Sequence, residues 1–133
     1  NNYFGRWLQH GGKSPDDQLR LFKKGAASFP CKDVHERLAV EGETGRLASP
    51  LDHYPYADAA DMVRKTDFYS TLKAEKLRRE GKAFPVFRGP RRFIINYFFR
   101  AGFLDGWQGF AAAVTDLFSE TLAFIKYLEK PGR

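Results

Sequence analysis

This sequence has almost no cysteine: Cys31 is the only one among its 133 residues. A single cysteine excludes an internal disulfide and a metal cage built from cysteines. Long apolar runs are also missing, since the most hydrophobic stretch, residues 107–128, contains Asp116, Glu120 and Lys126. Each of these charges is costly at the centre of a bilayer. We therefore predict a folded domain that does not span a membrane.

Acidic residues are scarce between residues 72 and 100, which we call the basic segment. It has nine Lys and Arg residues against two Glu, a net charge of +7, whereas the remaining residues carry 13 basic and 14 acidic side chains. Such a segment favours a phosphate-bearing partner, and the alternative is a solvated helix face. Its cations are Lys73, Lys76, Arg78, Arg79, Lys82, Arg88, Arg91, Arg92 and Arg100.

The first half of the chain is typical of short strands and turns. Residues 3–10 are rich in apolar and aromatic side chains and end at Gly11-Gly12. Residues 18–22 alternate polar and apolar side chains, which predicts a strand, and residues 34–40 indicate another. Residues 46–54 read as extended chain after the turn at 41–45.

The second half of the chain is typical of helices. Residues 57–80 contain no Pro or Gly and carry a rough apolar stripe, and Gly81 ends the pattern. Residues 91–103 and 107–128 predict a second and a third helix, separated by a tight turn at 103–105. The Phe and Trp side chains of these two helices are expected to lie in the core. The fold class is therefore predicted as α+β, with three C-terminal helices.

The order and spacing of several short strings resembles the C-terminal part of family 2 glycosyltransferases, in particular the lipopolysaccharide-core glucosyltransferase type. No single string is specific, but together they run over nearly the whole chain. They are Asp17-x-x-Arg20-Leu21-Phe22, Val34-His35-Glu36, His53-Tyr54, Lys65 with Phe68-Tyr69-Ser70, Arg92-Phe93 with Tyr97, and Gly102-Phe103-Leu104-Asp105-Gly106-Trp107-x-Gly109.

The resemblance implies a GT-A fold and an inverting transfer of a hexose from a nucleotide-sugar to a glycolipid or lipopolysaccharide-core acceptor. Residues 1–56 would then be the last strands and loops of the catalytic domain, and residues 57–133 a helical, basic and aromatic extension. Glu36 stands where the family has its acidic base motif, so we expect it to be the general base. The competing interpretation is a polar residue at a strand edge.

The resemblance also implies a divalent cation, Mg²⁺ or Mn²⁺, at the donor diphosphate. The family's Asp-x-Asp metal motif has no counterpart here, because no two Asp residues are two positions apart. We expect that motif and the nucleotide-binding half to precede residue 1, and this chain alone to be inactive. His53 matches a histidine that reaches the metal in many GT-A enzymes, although a structural role is equally plausible.

Further candidates for substrate binding follow from the same resemblance. Gly11 and Gly12 stand near a glycine-bearing loop beside the acceptor, and Asp17 matches a family acid, although it also has the character of a turn former. Arg20 is a candidate for donor phosphate or for a structural ion pair. His35 is expected to orient its neighbour Glu36.

The resemblance implies a glycolipid acceptor, and therefore a cytoplasmic protein that works at the inner face of the plasma membrane; the basic segment is the expected attachment. Arg78, Arg79, Lys82, Arg88, Arg91 and Arg92 are the expected contacts to anionic lipid or phosphate, next to apolar residues 93–99. The alternative function is a non-enzymatic basic module that binds anionic membrane or nucleic acid. Nucleic acid is not expected, because the cations do not interleave with aromatics as a base-stacking surface requires.

Overall fold

The computed structural model describes residues 1–15, 17, 19, 21–28 and 38–129. The chain divides into two compact units: unit 1 contains Asn1–Pro15 and Asp52–Arg133, and unit 2 contains Asp16–Leu51. Among the described residues, all the helices belong to unit 1. Short strands followed by three α-helices confirm the predicted α+β class.

Unit 1 begins with a hairpin of two short antiparallel strands, β1 (Asn2–Tyr3) and β2 (Arg6–Trp7). Phe4 and Gly5 turn the chain, both with positive φ, which suits the twist of a two-residue hairpin loop. The turn is held by the Gly5 backbone N–H, which donates to the Asn2 side chain over 2.9 Å. This hairpin places Tyr3 and the following Leu8 in the core.

Helix α1 (Ala59–Arg79) has a defined cap at each end. The Asp58 carboxylate accepts the Asp61 backbone N–H at 2.7 Å, and the Asp61 carboxylate accepts the Ala57 backbone N–H at 3.1 Å, as in a capping box. At the other end Gly81 adopts φ +62°, and the Lys82 N–H donates to the Leu77 carbonyl. This glycine-based termination confirms the predicted stop at Gly81.

The predicted second helix is shorter and less regular than expected. Helix α2 (Arg88–Ile94) continues into a π-helical turn (Ile95–Phe99), and a 3₁₀ turn (Gly102–Asp105) follows. Between them Ala101 adopts the left-handed conformation, φ +52°, which ends the helix before residue 103. The tight turn predicted at 103–105 is this 3₁₀ turn.

Glycines form the junction between the N-terminal loop, the 3₁₀ turn and helix α3 (Gly106–Leu128). A Cβ on Gly109 would collide with the Gly102 carbonyl oxygen, and a Cβ on Gly102 would lie 2.7 Å from the Asn96 carbonyl oxygen. A Cβ on Gly11 would reach the Gly102 Cα at 3.5 Å. The backbones therefore meet directly here, which only glycine permits.

The face of α3 that packs inward differs from the predicted one. Its buried residues are small or carboxylate-bearing and pack against α1 and α2: Gly109, Ala112, Ala113, Thr115, Glu120 and Ala123. Helix α1 meets them with Thr66, Ser70 and Ala74, also small. Small side chains let helices approach closely, so the large aromatic groups are displaced to the other side.

The aromatic residues predicted for the core therefore lie largely at the surface, and that interpretation was wrong for most of them. Trp107 is 61% exposed, and Phe99 is 82% exposed. The outward face of α3 carries a row of large apolar side chains that are all exposed: Trp107, Phe110, Val114, Phe118, Ile125 and Leu128.

Unit 2 contains a second antiparallel pair, β3 (Ala27–Ser28) with β4 (Ala39–Val40). The strand predicted at 18–22 was wrong where it can be assessed, because Leu19, Leu21 and Phe22 lie outside any strand. All three side chains are exposed, Leu21 at 76%, so the alternation there has no buried face to support a strand. Of the strand predicted at 34–40, the described end forms β4.

No helix in the described part of the chain is both long and apolar enough to cross a bilayer.

Gly109→Ala should destabilise the protein, because the new methyl group would collide with the Gly102 carbonyl. Overpacking of this kind costs about 1–3 kcal/mol, and thermal unfolding followed by circular dichroism should show a fall in Tm. Without the collision, alanine in a helix would stabilise by about 0.5–1 kcal/mol, so a raised Tm would contradict the glycine junction. Gly45→Ala, where a Cβ meets nothing within 4 Å, is the control and should leave Tm nearly unchanged.

Candidate functional site

A cavity of about 370 Å³ opens between the loop that follows β2 and the end of the π-helical turn. It lies entirely within unit 1. Its lining carries an imidazole, a guanidinium, an amide and a hydroxyl, which is a set suited to a polar ligand. The lining residues are Gln9, His10, Gly12, Ser14, Pro15 and Arg100.

His10 is held at this cavity by a buried carboxylate, Asp105. The Asp105 side chain is only 3% exposed, and one of its oxygens lies 3.0 Å from His10 Nδ1. The backbone N–H groups of His10 and Gln9 also donate to it, at 2.8 and 3.1 Å. These three hydrogen bonds join residues that are 95 or 96 positions apart in the sequence, and they hold both the loop and the imidazole ring in place.

The electrostatics of this pair favour an ionised carboxylate. Burial alone would raise the pKa of Asp105, but the hydrogen bonds from the His10 ring and from the backbone of His10 and Gln9 outweigh it, so the pKa lies below its usual value. An ionised Asp105 accepts the Nδ1 proton of His10. The other ring nitrogen, Nε2, is then directed away from Asp105 and is available to a ligand.

Arg100 is the cation at this cavity. Its guanidinium lies over Gly12, where a Cβ would collide with it, and Gly12 adopts φ +70°. Its single side-chain partner among the described residues is the Asn96 amide oxygen, at 3.5 Å. Arg100 therefore faces the cavity with no carboxylate paired to it in the described part of the chain.

The candidates expected from the resemblance do not gather in one described place. Glu36, His35 and Arg20 lie outside the described residues. Asp17 belongs to unit 2 and forms an exposed ion pair with Arg46. Such a pair contributes little to stability.

Gly11, Gly12 and His53 belong to unit 1. The Gly11 N–H donates to the Arg100 carbonyl at 2.8 Å, and this bond closes the loop against the π-helical turn. His53 is exposed, its Nδ1 is hydrogen-bonded to the Asn1 side chain, and its carbonyl accepts the Asn2 N–H. Gly12 therefore lines the cavity, whereas His53 holds the N-terminus.

Metal binding has no complete site in the described part of the chain, where no three His, Cys, Asp or Glu residues are grouped to hold an ion. His53 supplies one imidazole, and its neighbour there is the amide of Asn1. These residues do not fit a metal on their own.

Three of the six expected phosphate contacts lie against α3. Arg88 lies 4.0 Å from the Glu120 carboxylate, and Arg92 lies 3.4 Å from that of Asp116. Arg78 donates to the carbonyls of Lys126, Tyr127 and Glu129, which caps the C-terminus of α3.

The remaining expected phosphate contacts are at the surface. Lys82 pairs with Glu80 at 2.8 Å. Arg79 is exposed and interacts electrostatically with the Glu80 carboxylate. Arg91 is exposed and has no side-chain partner among the described residues. Of the six predicted cations, Arg91 is therefore left free for an external anion.

His10, Arg100 and Asp105 were not predicted from the sequence as one site. Asp105 was quoted only as part of a string, and Arg100 only as part of the basic segment. The nearest signal was the glycine pair that follows His10, since adjacent glycines indicate a tightly built loop. The pairing across 95 residues becomes visible only in the fold.

Comparison with known proteins finds a similarity to a curated protein. An uncharacterized glycosyltransferase of Rickettsia typhi is 31% identical over 124 residues, an alignment that covers 84% of this chain. The chain spans 42% of the length of that relative. No protein-family model matches the chain, and no solved structure matches it.

Proposed function

We propose that this chain is the C-terminal portion of a glycosyltransferase. The observation that carries the proposal is the similarity to the Rickettsia typhi protein, which is named a glycosyltransferase. The aligned share of 84% exceeds what the larger unit alone could supply, so the similarity involves both units. The chain therefore resembles the relative in its loops as well as in its helices.

The finer proposal is an inverting enzyme of family 2 with a GT-A fold. It would transfer a hexose from a nucleotide-sugar to a glycolipid or lipopolysaccharide-core acceptor. The strings quoted above support this class, and Glu36 is the residue we assign as general base. Its carboxylate would take the proton of the acceptor hydroxyl as that oxygen attacks the donor's anomeric carbon.

The donor site is proposed to lie in the part of the enzyme that precedes this chain. A relative more than twice as long leaves room for a nucleotide-binding half with its Asp-x-Asp motif. A Mg²⁺ or Mn²⁺ ion held there would neutralise the departing diphosphate. His53 could add one ligand to an ion held mainly by those residues, but it makes no metal site by itself.

Attachment to anionic membrane is proposed through the outward face of α2 and the π-helical turn. Phe87, Arg91, Ile94 and Phe98 are spaced by four, three and four residues, so they share one helical face, and all four are exposed. Phe87 is 83% exposed. Apolar area beside a free cation gives the two contributions that peripheral attachment requires.

Glu36→Gln should lower kcat strongly in the enzyme that joins this chain to its donor-binding half. The amide keeps the shape of the carboxylate but cannot accept a proton, and base catalysis contributes about 10²–10⁴-fold. Donor binding, measured by calorimetry, should stay nearly unchanged. Glu43→Gln, a neutralised carboxylate at an exposed position of unit 2, is the control. If the Glu36 variant kept more than about a tenth of the wild-type kcat, Glu36 would not be the base.

Vesicle co-sedimentation tests the membrane proposal. Binding should appear with anionic vesicles, weaken with neutral ones and fall as salt rises, because each basic residue near the surface contributes about 1 kcal/mol, screened by salt. Phe98→Ser and Arg91→Gln should each reduce it. Lys24→Gln removes the same charge from unit 2 and should change little. Equal binding to neutral and anionic vesicles, or none to either, would refute the proposal.

A further inference from the structure

We infer that the cavity formed by His10 and Arg100 binds a phosphate group of a ligand. This inference is independent of the proposed transfer reaction, because it rests on the geometry of unit 1 and can be measured as binding. The site combines a cation that has no carboxylate partner in the described part of the chain with an imidazole whose orientation is fixed by a buried carboxylate.

Arg100 supplies the charge. Its planar guanidinium can donate two parallel hydrogen bonds to phosphate oxygens, a geometry that lysine cannot reproduce. Most other cations of the basic segment differ in this respect: Arg88 and Arg92 lie beside carboxylates of α3, and Arg78 is bonded to carbonyls. The Arg100 guanidinium instead lies over the glycine loop at the cavity, with one weak contact to Asn96.

The loop beneath Arg100 is built to admit a ligand close to the backbone. Gly11 and Gly12 both have positive φ, and Gly12 leaves the guanidinium room that any Cβ would take away. Ser14 adds a hydroxyl and Gln9 an amide to the same lining.

His10 supplies the second contact. Asp105 accepts the Nδ1 proton, and Nε2 is left for the ligand. When Nε2 also carries a proton, the ring can donate a hydrogen bond to a phosphate oxygen. Asp105 is thus a positioning residue, because it holds the ring and two backbone N–H groups of the loop.

The phosphate could belong to a nucleotide or to a phosphorylated sugar. Both present the same terminal oxygens to Arg100, and the cavity volume admits a sugar ring beside the phosphate. The two ligands differ in the group attached to the phosphate, so titration with each of them in turn distinguishes the two sources.

The test is titration of this chain with inorganic phosphate, a nucleoside diphosphate and a hexose phosphate in separate arms. Binding is followed by the imidazole ¹⁵N resonances of His10 and by calorimetry. We expect the His10 signals to shift with phosphate. Arg100→Met should weaken binding about tenfold or more, as the loss of a charge-assisted hydrogen bond implies. Arg64→Gln removes one exposed charge elsewhere in unit 1 and should weaken binding less than about twofold.

A stronger response to the nucleoside diphosphate would identify a donor-side site, and a stronger response to the hexose phosphate an acceptor-side site. Arg100→Lys keeps the positive charge, so it should bind more tightly than Arg100→Met. It should still bind less tightly than the wild type, because lysine cannot donate two parallel hydrogen bonds. No shift at His10 with any of the three ligands, or equal weakening by Arg100→Met and Arg64→Gln, would overturn the inference.

Discussion

Three carboxylates on or next to α3 hold unit 1 together. Asp105 accepts three N–H groups from the loop at residues 9–10. Asp116 forms ion pairs with Lys13 and Arg92 and accepts a hydrogen bond from the Asn96 amide. Glu120 pairs with Lys73 and lies beside Arg88. Each carboxylate is largely buried, so each depends on its donors to offset desolvation. The N-terminal loop, α1 and α2 are therefore attached to α3 by charge as well as by packing.

This arrangement decides which cations remain for function. A net charge of +7 in the basic segment favours a phosphate-bearing partner, but carboxylates of α3 pair with Lys73 and Arg92 and lie beside Arg88. Burial lowers the pKa of the Lys73 ammonium, and the Glu120 carboxylate only partly offsets this, as expected for a structural pair. Arg100 and Arg91 are left in two different settings, one beside a cavity and one among exposed aromatic residues.

The sequence was informative about α1, about its end at Gly81 and about α3, because helix propensity and a glycine stop act locally. The sequence was misleading about which face of α3 is buried. The helical period of the apolar residues cannot tell whether Trp107 and Phe110 or the opposite face with Ala112 lies inward. The small residues lie inward because α3 packs closely against α1. The π-helical turn and the His10–Asp105 pair were likewise inaccessible, since both depend on contacts between distant segments. For Glu36 and its neighbours the assignment stays a prediction.

Urea unfolding of Glu120→Ala tests most directly whether the α3 carboxylates hold the fold. Removing one partner of a buried pair costs about 3–5 kcal/mol, and since the Lys73 side chain is 24% exposed we expect about 2 kcal/mol or more. Lys73→Met combined with Glu120→Leu removes both charges and should recover much of that loss. A Glu120→Ala protein as stable as the wild type would contradict the central role of these carboxylates.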